Sequence, residues 1–325
     1  MNTYRPAWWL PGAHLQTLWG KFGRRQARRA TRIERIDTPD GDFLDLHHTD
    51  APENAPLLVL LHGLEGSIGS HYVQALLSEA SRRAWHATVL IFRSCGAELN
   101  RARRFYHSGE TSDLDLALEH LLGANPSSNI VLAGVSLGGN VLLKYLGEKG
   151  SAVSKRIKGA AAVSVPFDLS RAARHIDLGF SRVYRRSFIR SLRRKAVAKL
   201  ESFPDLASRS SIDAATTMVE FDNSFTAPVH GFRDADEYYE KSSSIRWLER
   251  IRINTLLLNA VDDPFLPRQV LDDVRAIARH NPALTLEFPA GGGHVGFVSG
   301  RNPLRPVYYL EERVGQFLAS QLQLD

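Results

Sequence analysis

Residues 130–140 read Ile130-Val131-Leu132-Ala133-Gly134-Val135-Ser136-Leu137-Gly138-Gly139-Asn140, and this stretch decides the fold. An apolar, β-rich run, Ile130–Val135, gives way at Ser136 to a helical pattern from Leu137 to about Glu148. A chain that reverses this sharply from strand to helix leaves the corner residue strained and exposed at the sheet's C-terminal edge. Glycines two positions either side of Ser136 remove the Cβ atoms that would collide in such a turn. The serine also stands at a helix N-terminus, which favours developing negative charge. A bare G-x-S-x-G match arises often by chance. Set between strand and helix, and followed by Gly139, it marks Ser136 as a candidate nucleophile.

Outward from this turn, short apolar runs alternate with helical patterns. Leu57–Leu61 precedes a helix near His71–Arg83, and Ala87–Phe92 precedes one near Asp113–Leu122. Gly159–Val165 follows the serine helix. Later come Thr255–Asn259, a helix around Arg268–His280, Leu284–Phe288 and a terminal helix near Pro306–Leu322. The alternation predicts an α/β fold, a mostly parallel twisted sheet with helices on both faces. Two earlier runs, Ile33–Thr38 and Phe43–His48, meet across Asp40-Gly41, a hairpin signal that predicts antiparallel N-terminal strands. Residues 167–245 interrupt the alternation at a length no plain loop explains, so they should carry structure of their own. There Tyr184, Phe188, Leu192, Ala196 and Leu200 recur every four residues with Arg and Lys between them, a basic amphipathic helix. The expected organisation is a core of residues 1–166 and 246–325 with an inserted helical cap at 167–245.

A nucleophilic serine needs an oxyanion hole, a base and an orienting carboxylate. The loop His62-Gly63-Leu64-Glu65-Gly66 follows a strand and can turn a backbone N–H toward Ser136, so Leu64 and Leu137 are the candidate oxyanion donors. Among twelve histidines, His294 stands out in Gly291-Gly292-Gly293-His294-Val295-Gly296-Phe297, a glycine-rich loop after the last strand. For the acid, Asp263 in Asp262-Asp263-Pro264-Phe265 is the choice, with Asp262 bracing the loop; Asp168, after Gly159–Val165, competes. The order Ser136, Asp263, His294 is the nucleophile–acid–base order of an α/β-hydrolase triad.

Composition bounds the remaining possibilities. The 325 residues are 43% hydrophobic, which excludes intrinsic disorder, and a single cysteine excludes a disulfide framework or a cysteine-based zinc site. Met1–Gly12 lacks the charged and apolar regions of a signal peptide, and no apolar run reaches the ~20 residues of a membrane span. A cytoplasmic setting is expected. Residues 1–35 and 171–199 hold 18 of the 41 basic and 2 of the 35 acidic residues, so the chain, with net charge +6, is acidic by 10 elsewhere. That acidic remainder argues against a nucleic-acid partner. A solvated face is the plain reading of each basic stretch; for 171–199 the sharper one is peripheral contact with an anionic membrane surface.

Several blocks together resemble the α/β-hydrolase superfamily, and within it the YheT-like group of predicted hydrolases, similar to eukaryotic abhydrolase-domain lipases. They are Trp8-Trp9-Leu10-Pro11-Gly12-Ala13-His14-Leu15-Gln16-Thr17-Leu18, Phe92-Arg93-Ser94-Cys95-Gly96, Tyr106-His107-Ser108-Gly109-Glu110-Thr111, Gly134–Asn140, Asn259–Phe265 and Gly292–Phe297. The resemblance implies an α/β-hydrolase fold with nucleophile, acid and base at Ser136, Asp263 and His294. It implies a serine carboxylic-ester hydrolase working through an acyl-enzyme, without metal or organic cofactor, on short- to medium-chain acyl esters, small-molecule or lipid. An acyltransferase with the same triad, or a ligand-binding protein retaining the fold, are the alternatives. Cys95 is expected as a partly buried loop thiol, and Trp8-Trp9 as packed against the core.

Overall fold

The computed structural model describes residues 4–24 and 27–322; Met1–Thr3 of the opening segment and Arg25 of the first basic stretch lie outside them. In chain order the elements begin with α1 (Ala13–Phe22), β1 (Arg32–Asp37), β2 (Phe43–His48), β3 (Leu57–Leu61), α2 (His71–Arg82) and β4 (His86–Ile91). They continue with α3 (Ser112–Ala124), β5 (Ile130–Val135), α4 (Leu137–Lys149) and β6 (Ile157–Val163). After a long helical stretch come β7 (Thr255–Leu258), α11 (Arg268–Ala278), β8 (Leu284–Glu287), the short pair β9 (Val298–Ser299) and β10 (Val307–Tyr308), and α12 (Tyr309–Leu322).

Eight strands form one sheet in the order β1-β2-β4-β3-β5-β6-β7-β8. β1 pairs antiparallel with β2, and β2 with β4; every pair from β4 onward is parallel. The central strands β3 and β5 are buried along their whole length, as strands covered on both faces must be, and this is why they read as unbroken apolar runs. The edge strand β1 is mostly exposed and carries Arg32, Glu34, Arg35 and Asp37, charges that discourage pairing with another chain. One helix layer contains α2 and α12 in mutual contact, α12 lying on β5 and β6. The other contains α3 and α4, with α4 over β3, β5 and β6. Behind β4, the buried Arg93 holds Asp113 of α3 through two 2.8 Å bonds and Asp42 of the β1–β2 turn through a third. The bidentate pair fixes α3, and the bond to Asp42 fixes the hairpin to the parallel sheet.

Most element limits lie within a residue or two of those expected, and two of the shifts have a visible cause. β6 ends at Val163 rather than Val165, because Ser164 turns left-handed (φ 51°) and the Val165 N–H is taken by the Asn259 side chain. The terminal helix starts at Tyr309 rather than near Pro306, because Val307 and Tyr308 pair with Ser299 and Val298.

Between β6 and β7 the chain runs through α5 (Leu169–His175), α6 (Arg182–Ser202), α7 (Arg209–Ala214), α8 (Met218–Phe221), a π-helical turn at Asp222–Thr226, α9 (Ala227–Val229) and α10 (Ala235–Ser242). The helix expected from the four-residue apolar spacing is α6, and Ile189, Leu192, Ala196 and Leu200 are its buried line. Asn140 of α4 bonds the carbonyls of Ser108 and Ser242 and the N–H of Ser244, tying these helices to the sheet. Among the described residues, no helix is long and apolar enough to cross a membrane.

Candidate active site

Ser136 occupies the corner between β5 and α4 at φ 54°, ψ −121°, a conformation that L-residues adopt only under constraint. The neighbouring glycines are sterically required. A Cβ on Gly134 would lie 2.5 Å from the Gly138 carbonyl oxygen, and one on Gly138 would lie 2.5 Å from those of Leu61 and His62. The turn therefore closes only with glycine at both positions, and α4 starts hard against the end of β3.

The loop after β3 lies against this corner, a Cβ on Gly63 being 3.1 Å from that of Ser136. His62 shapes it from beneath. It is fully buried, and burial pushes its pKa down to about 4, so the ring is neutral. Its Nδ1–H donates to the Gly63 carbonyl (2.8 Å) while Nε2 accepts from the Phe92 N–H (3.1 Å). The Gly63 N–H donates to the Tyr72 hydroxyl (2.8 Å) and the Glu65 N–H to the Tyr106 hydroxyl (3.0 Å). Between them the Leu64 N–H has no acceptor among the described residues, and neither has that of Leu137. Both residues line the same cavity as Ser136.

His294 lies in the loop after β8, braced from three sides. The Gly293 N–H donates to Asp262 (2.9 Å), the His294 N–H to the Thr17 hydroxyl (2.9 Å) and the Val295 N–H to the Ser164 hydroxyl (3.0 Å). Its Nδ1 lies 2.9 Å from Asp263 Oδ2, and its Nε2 lies 3.1 Å from Ser136 Oγ. Asp263 itself is buried and also accepts from the Phe265 N–H (2.8 Å). The structure thus brings Ser136, His294 and Asp263 into one hydrogen-bonded line. Asp168 is engaged elsewhere: its carboxylate caps α5 through the Arg171 N–H and pairs with the Arg171 guanidinium. Asp262 braces the histidine loop, as its neighbouring position suggested.

Several participants carried no sequence signal of their own. Phe265 stacks on the His294 ring at 4.0 Å between centroids and meets Tyr184 and Phe188 of α6 in edge-type contacts. The Glu65 carboxylate accepts from the Tyr106 hydroxyl (2.7 Å), Lys195 (2.8 Å) and the Ser191 hydroxyl, linking the Leu64 loop to α6. Phe265, Glu65 and Tyr106 stand within the quoted motifs, but nothing in those motifs marked their roles. Cys95 is buried as expected, 3.5 Å from Lys195, and burial pushes its thiol up to about 11, away from nucleophilic use. Trp8 corrects an expectation: it is 74% exposed, its indole N–H reaching the Arg301 carbonyl, while Trp9 is half-buried against Trp19.

The cavity in front of Ser136 has a volume of about 120 Å³. Leu169 and Ile176 from the region of α5, Phe188 and Leu192 from α6, and Met218 and Phe221 from α8 give it apolar walls. Two buried polar groups also face it. Burial and the neighbouring His230 hold His107 down to about 3, so it is a neutral ring. Burial pushes Asp222 up to about 6 although the Thr226 and Tyr239 hydroxyls both donate to it at 2.6 Å. Among the described residues, no group of three His, Cys, Asp or Glu side chains is arranged to hold a metal ion.

A parallel sheet with a strained serine between strand and helix, facing a histidine and a buried aspartate from later loops, defines the class of α/β hydrolases. The alpha/beta hydrolase fold family matches residues 56–300, and the chain belongs to it. Within that family it is 37% identical over 315 residues to YheT of Escherichia coli (strain K12), whose name marks it as a candidate esterase; the match covers 95% of this chain and 91% of that one. It is 28% identical over 331 residues to the phospholipase ABHD3 of Mus musculus, covering 99% and 79%. Among solved structures, the Pyrococcus furiosus esterase Pf2001 shares the fold, with a TM-score of 0.58 at 17% identity over 90% of this chain and 91% of that one.

Proposed function

We propose that this protein is a serine carboxylic-ester hydrolase in which Ser136 is the nucleophile, His294 the general base and Asp263 the group that orients it. The observation that carries the reading is the line Asp263–His294–Ser136 at 2.9 and 3.1 Å, ending at two backbone N–H groups without acceptors among the described residues. Ser136 Oγ attacks the ester carbonyl carbon and gives its proton to His294 Nε2. Asp263 accepts from Nδ1–H and stabilises the imidazolium. The carbonyl π pair moves onto oxygen, where the Leu64 and Leu137 N–H groups meet the negative charge; losing one such donor typically costs ~10²- to 10³-fold in rate. Collapse of the tetrahedral intermediate breaks the bond to the alcohol oxygen, which takes the proton from His294. Water, deprotonated by the same imidazole, then attacks the acyl-enzyme and releases the acid.

The substrate class we infer is an ester of a short- to medium-chain acyl group. The support is the cavity: its walls are largely apolar, and about 120 Å³ approaches the ~150 Å³ that accommodates a benzene-sized ligand in an engineered core. The names of YheT and ABHD3 agree with ester hydrolysis. Residues 167–245 act in this reading as a helical cap whose inner faces line the acyl site.

The test is labelling with a fluorophosphonate, beside Ser136→Ala, followed by turnover of an ester panel of increasing acyl length. Labelling lost in the variant, with hydrolysis of short and medium esters, is expected. Folded protein that takes up no probe refutes the catalytic reading. Labelling without hydrolysis, but with acyl transfer once alcohols are added, would replace hydrolase by acyltransferase.

A further inference from the structure

The helix α6 has a second face that catalysis does not use. Phe188 and Leu192 point into the acyl cavity, and Ser191 and Lys195 hold Glu65. On another side of the same helix Arg185, Arg186, Arg190 and Arg193 line a separate groove of about 300 Å³, closed on its far bank by Ala215 and Thr216. Four guanidiniums at i, i+1, i+5 and i+8 repel one another, and a solvated helix would spread such charges or neutralise them. Here they are hardly neutralised. Among the described residues only Arg185 has a carboxylate partner, Asp177 at 3.0 Å; Arg186, Arg190 and Arg193 have none. Arg193 reaches the Ala215 carbonyl, so it is held across the groove rather than free in solvent.

A second, independent feature points to a ligand. The Nε–H groups of both Arg185 and Arg193 are buried and donate to nothing among the described residues. A buried donor without an acceptor is costly, and its remedy is an acceptor that arrives from outside. The groove thus offers fixed, unpaired guanidinium donors around an excess of positive charge. A phosphoryl group matches this best. It brings three acceptor oxygens and up to two negative charges, and the planar guanidinium fork fits it in bidentate fashion.

We propose that the groove formed by Arg185, Arg186, Arg190 and Arg193 on the outer side of α6 is a binding site for a phosphate monoester, carried either by a lipid headgroup or by a small phosphorylated metabolite. The site is separate from the acyl cavity and stands or falls independently of the hydrolytic reading. It also gives the basic stretch 171–199 a defined anionic partner, at the arginines without acids rather than along the whole helix. Arg171 and Arg174, by contrast, are already paired with Asp168, Asp273 and Asp236.

The experiment uses the full chain and two probes. Glycerol 3-phosphate is titrated calorimetrically, and phosphatidylcholine vesicles with or without phosphatidic acid are floated, each at low and raised salt. Arg186→Gln with Arg190→Gln removes two exposed groove charges. Arg301→Gln with Arg305→Gln removes two exposed charges outside the groove and serves as the equal-charge control. Charge-assisted bonds of this type predict a loss of roughly tenfold or more per arginine in the groove variant. Binding of glycerol 3-phosphate that falls so in the groove variant, and not in the control, supports the site with a soluble phosphate ester as ligand. Binding of phosphatidic acid vesicles alone, with the same pattern, supports it with a lipid headgroup. The proposal is overturned if the wild type binds neither probe, or if the control variant loses as much as the groove variant. Because the four substituted side chains, Arg186, Arg190, Arg301 and Arg305, are exposed, unchanged melting temperatures are expected and separate loss of binding from loss of fold.

Discussion

Ser136 offers a stability experiment that isolates the strain of the turn from its chemistry. Its φ of 54° and ψ of −121° should cost an L-residue about 1–3 kcal/mol, a cost glycine does not bear. Ser136→Gly and Ser136→Ala both remove the hydroxyl, the 3.1 Å bond to His294 and all labelling by a fluorophosphonate, so activity drops out of the comparison. Glycine also outperforms alanine by about 0.5–1 kcal/mol at an ordinary helix N-cap, and that must be subtracted. Ser70, the N-cap of α2, supplies the reference: it has φ −62°, ψ 135°, and its side chain makes no capping bond. The advantage of Gly over Ala should therefore be larger at position 136 than at position 70 by about 1–3 kcal/mol. With an unfolding entropy near 2.1 cal/mol/K per residue, about 0.7 kcal/mol/K for the whole chain, that excess equals a further ~1.5–4 °C in Tm. Urea titration of the four variants measures the same quantity without heating. Equal Gly–Ala differences at the two sites would refute stored strain at Ser136.

Three further outcomes follow from particular contacts. Asp263→Asn should lower kcat/KM ~10³- to 10⁴-fold by upsetting the tautomer and charge of His294, whereas Asp168→Asn, at the cap of α5, should leave it within about twofold; steady-state kinetics on the best ester of the panel decides between the two acids. Leu192→Ala should open the acyl cavity, and at ~0.8 kcal/mol per methylene it should raise relative kcat/KM ~4-fold for each carbon added, over two or three carbons; an unchanged chain-length profile would place the acyl group elsewhere. Asp222 should make stability fall as pH rises. Its folded pKa of about 6 lies above the unfolded value near 3.8, so between these values the native state holds the extra proton and folding weakens with increasing pH. The stabilisation is complete below pH ~4 and lost through pH ~6, so Asp222→Asn should gain on the wild type by up to about 3 kcal/mol across that window. A pH-independent gap in urea-unfolding free energy would contradict this.

The fold was legible because the sheet's centre is buried on both faces. β3 and β5 have to be unbroken apolar runs, and such runs followed by amphipathic patterns leave few other architectures. The same local logic reached Ser136, Asp263 and His294, each in a loop punctuated by Gly or Pro just after a strand. It stopped where order depends on partners far along the chain. Glu65 meets Ser191 and Lys195 across 126 and 130 residues, and no periodicity records such a pairing. β9 and β10, two residues each, are too short to carry a period, and the end of β6 was set by one left-handed serine. Trp8 was misjudged because a tryptophan's tendency toward burial says nothing of an N–H that finds a surface carbonyl.

The N-terminal block Trp8–Leu18 was recognisable as a signature without any reason for it, and the geometry supplies one. A Cβ on Gly293 would stand 2.4 Å from the Ala13 carbonyl oxygen, and one on Gly296 would stand 2.5 Å from that of Gln16. The glycines on either side of His294 are therefore there to admit α1. Once admitted, α1 takes over the loop's hydrogen bonds. Thr17 accepts from the His294 N–H across 277 residues, and the buried Gln16 side chain bonds both the N–H and the carbonyl of Val298, at 2.8 and 3.1 Å. A glycine-rich loop by itself would leave the imidazole many orientations at an entropic cost on each turnover. Docked against α1, with Asp262 and Ser164 on its other sides, it keeps the ring within reach of both Ser136 and Asp263. Glycines that look like freedom in the sequence thus serve close packing in the fold, and the two ends of the chain are joined at the residue proposed to move the proton.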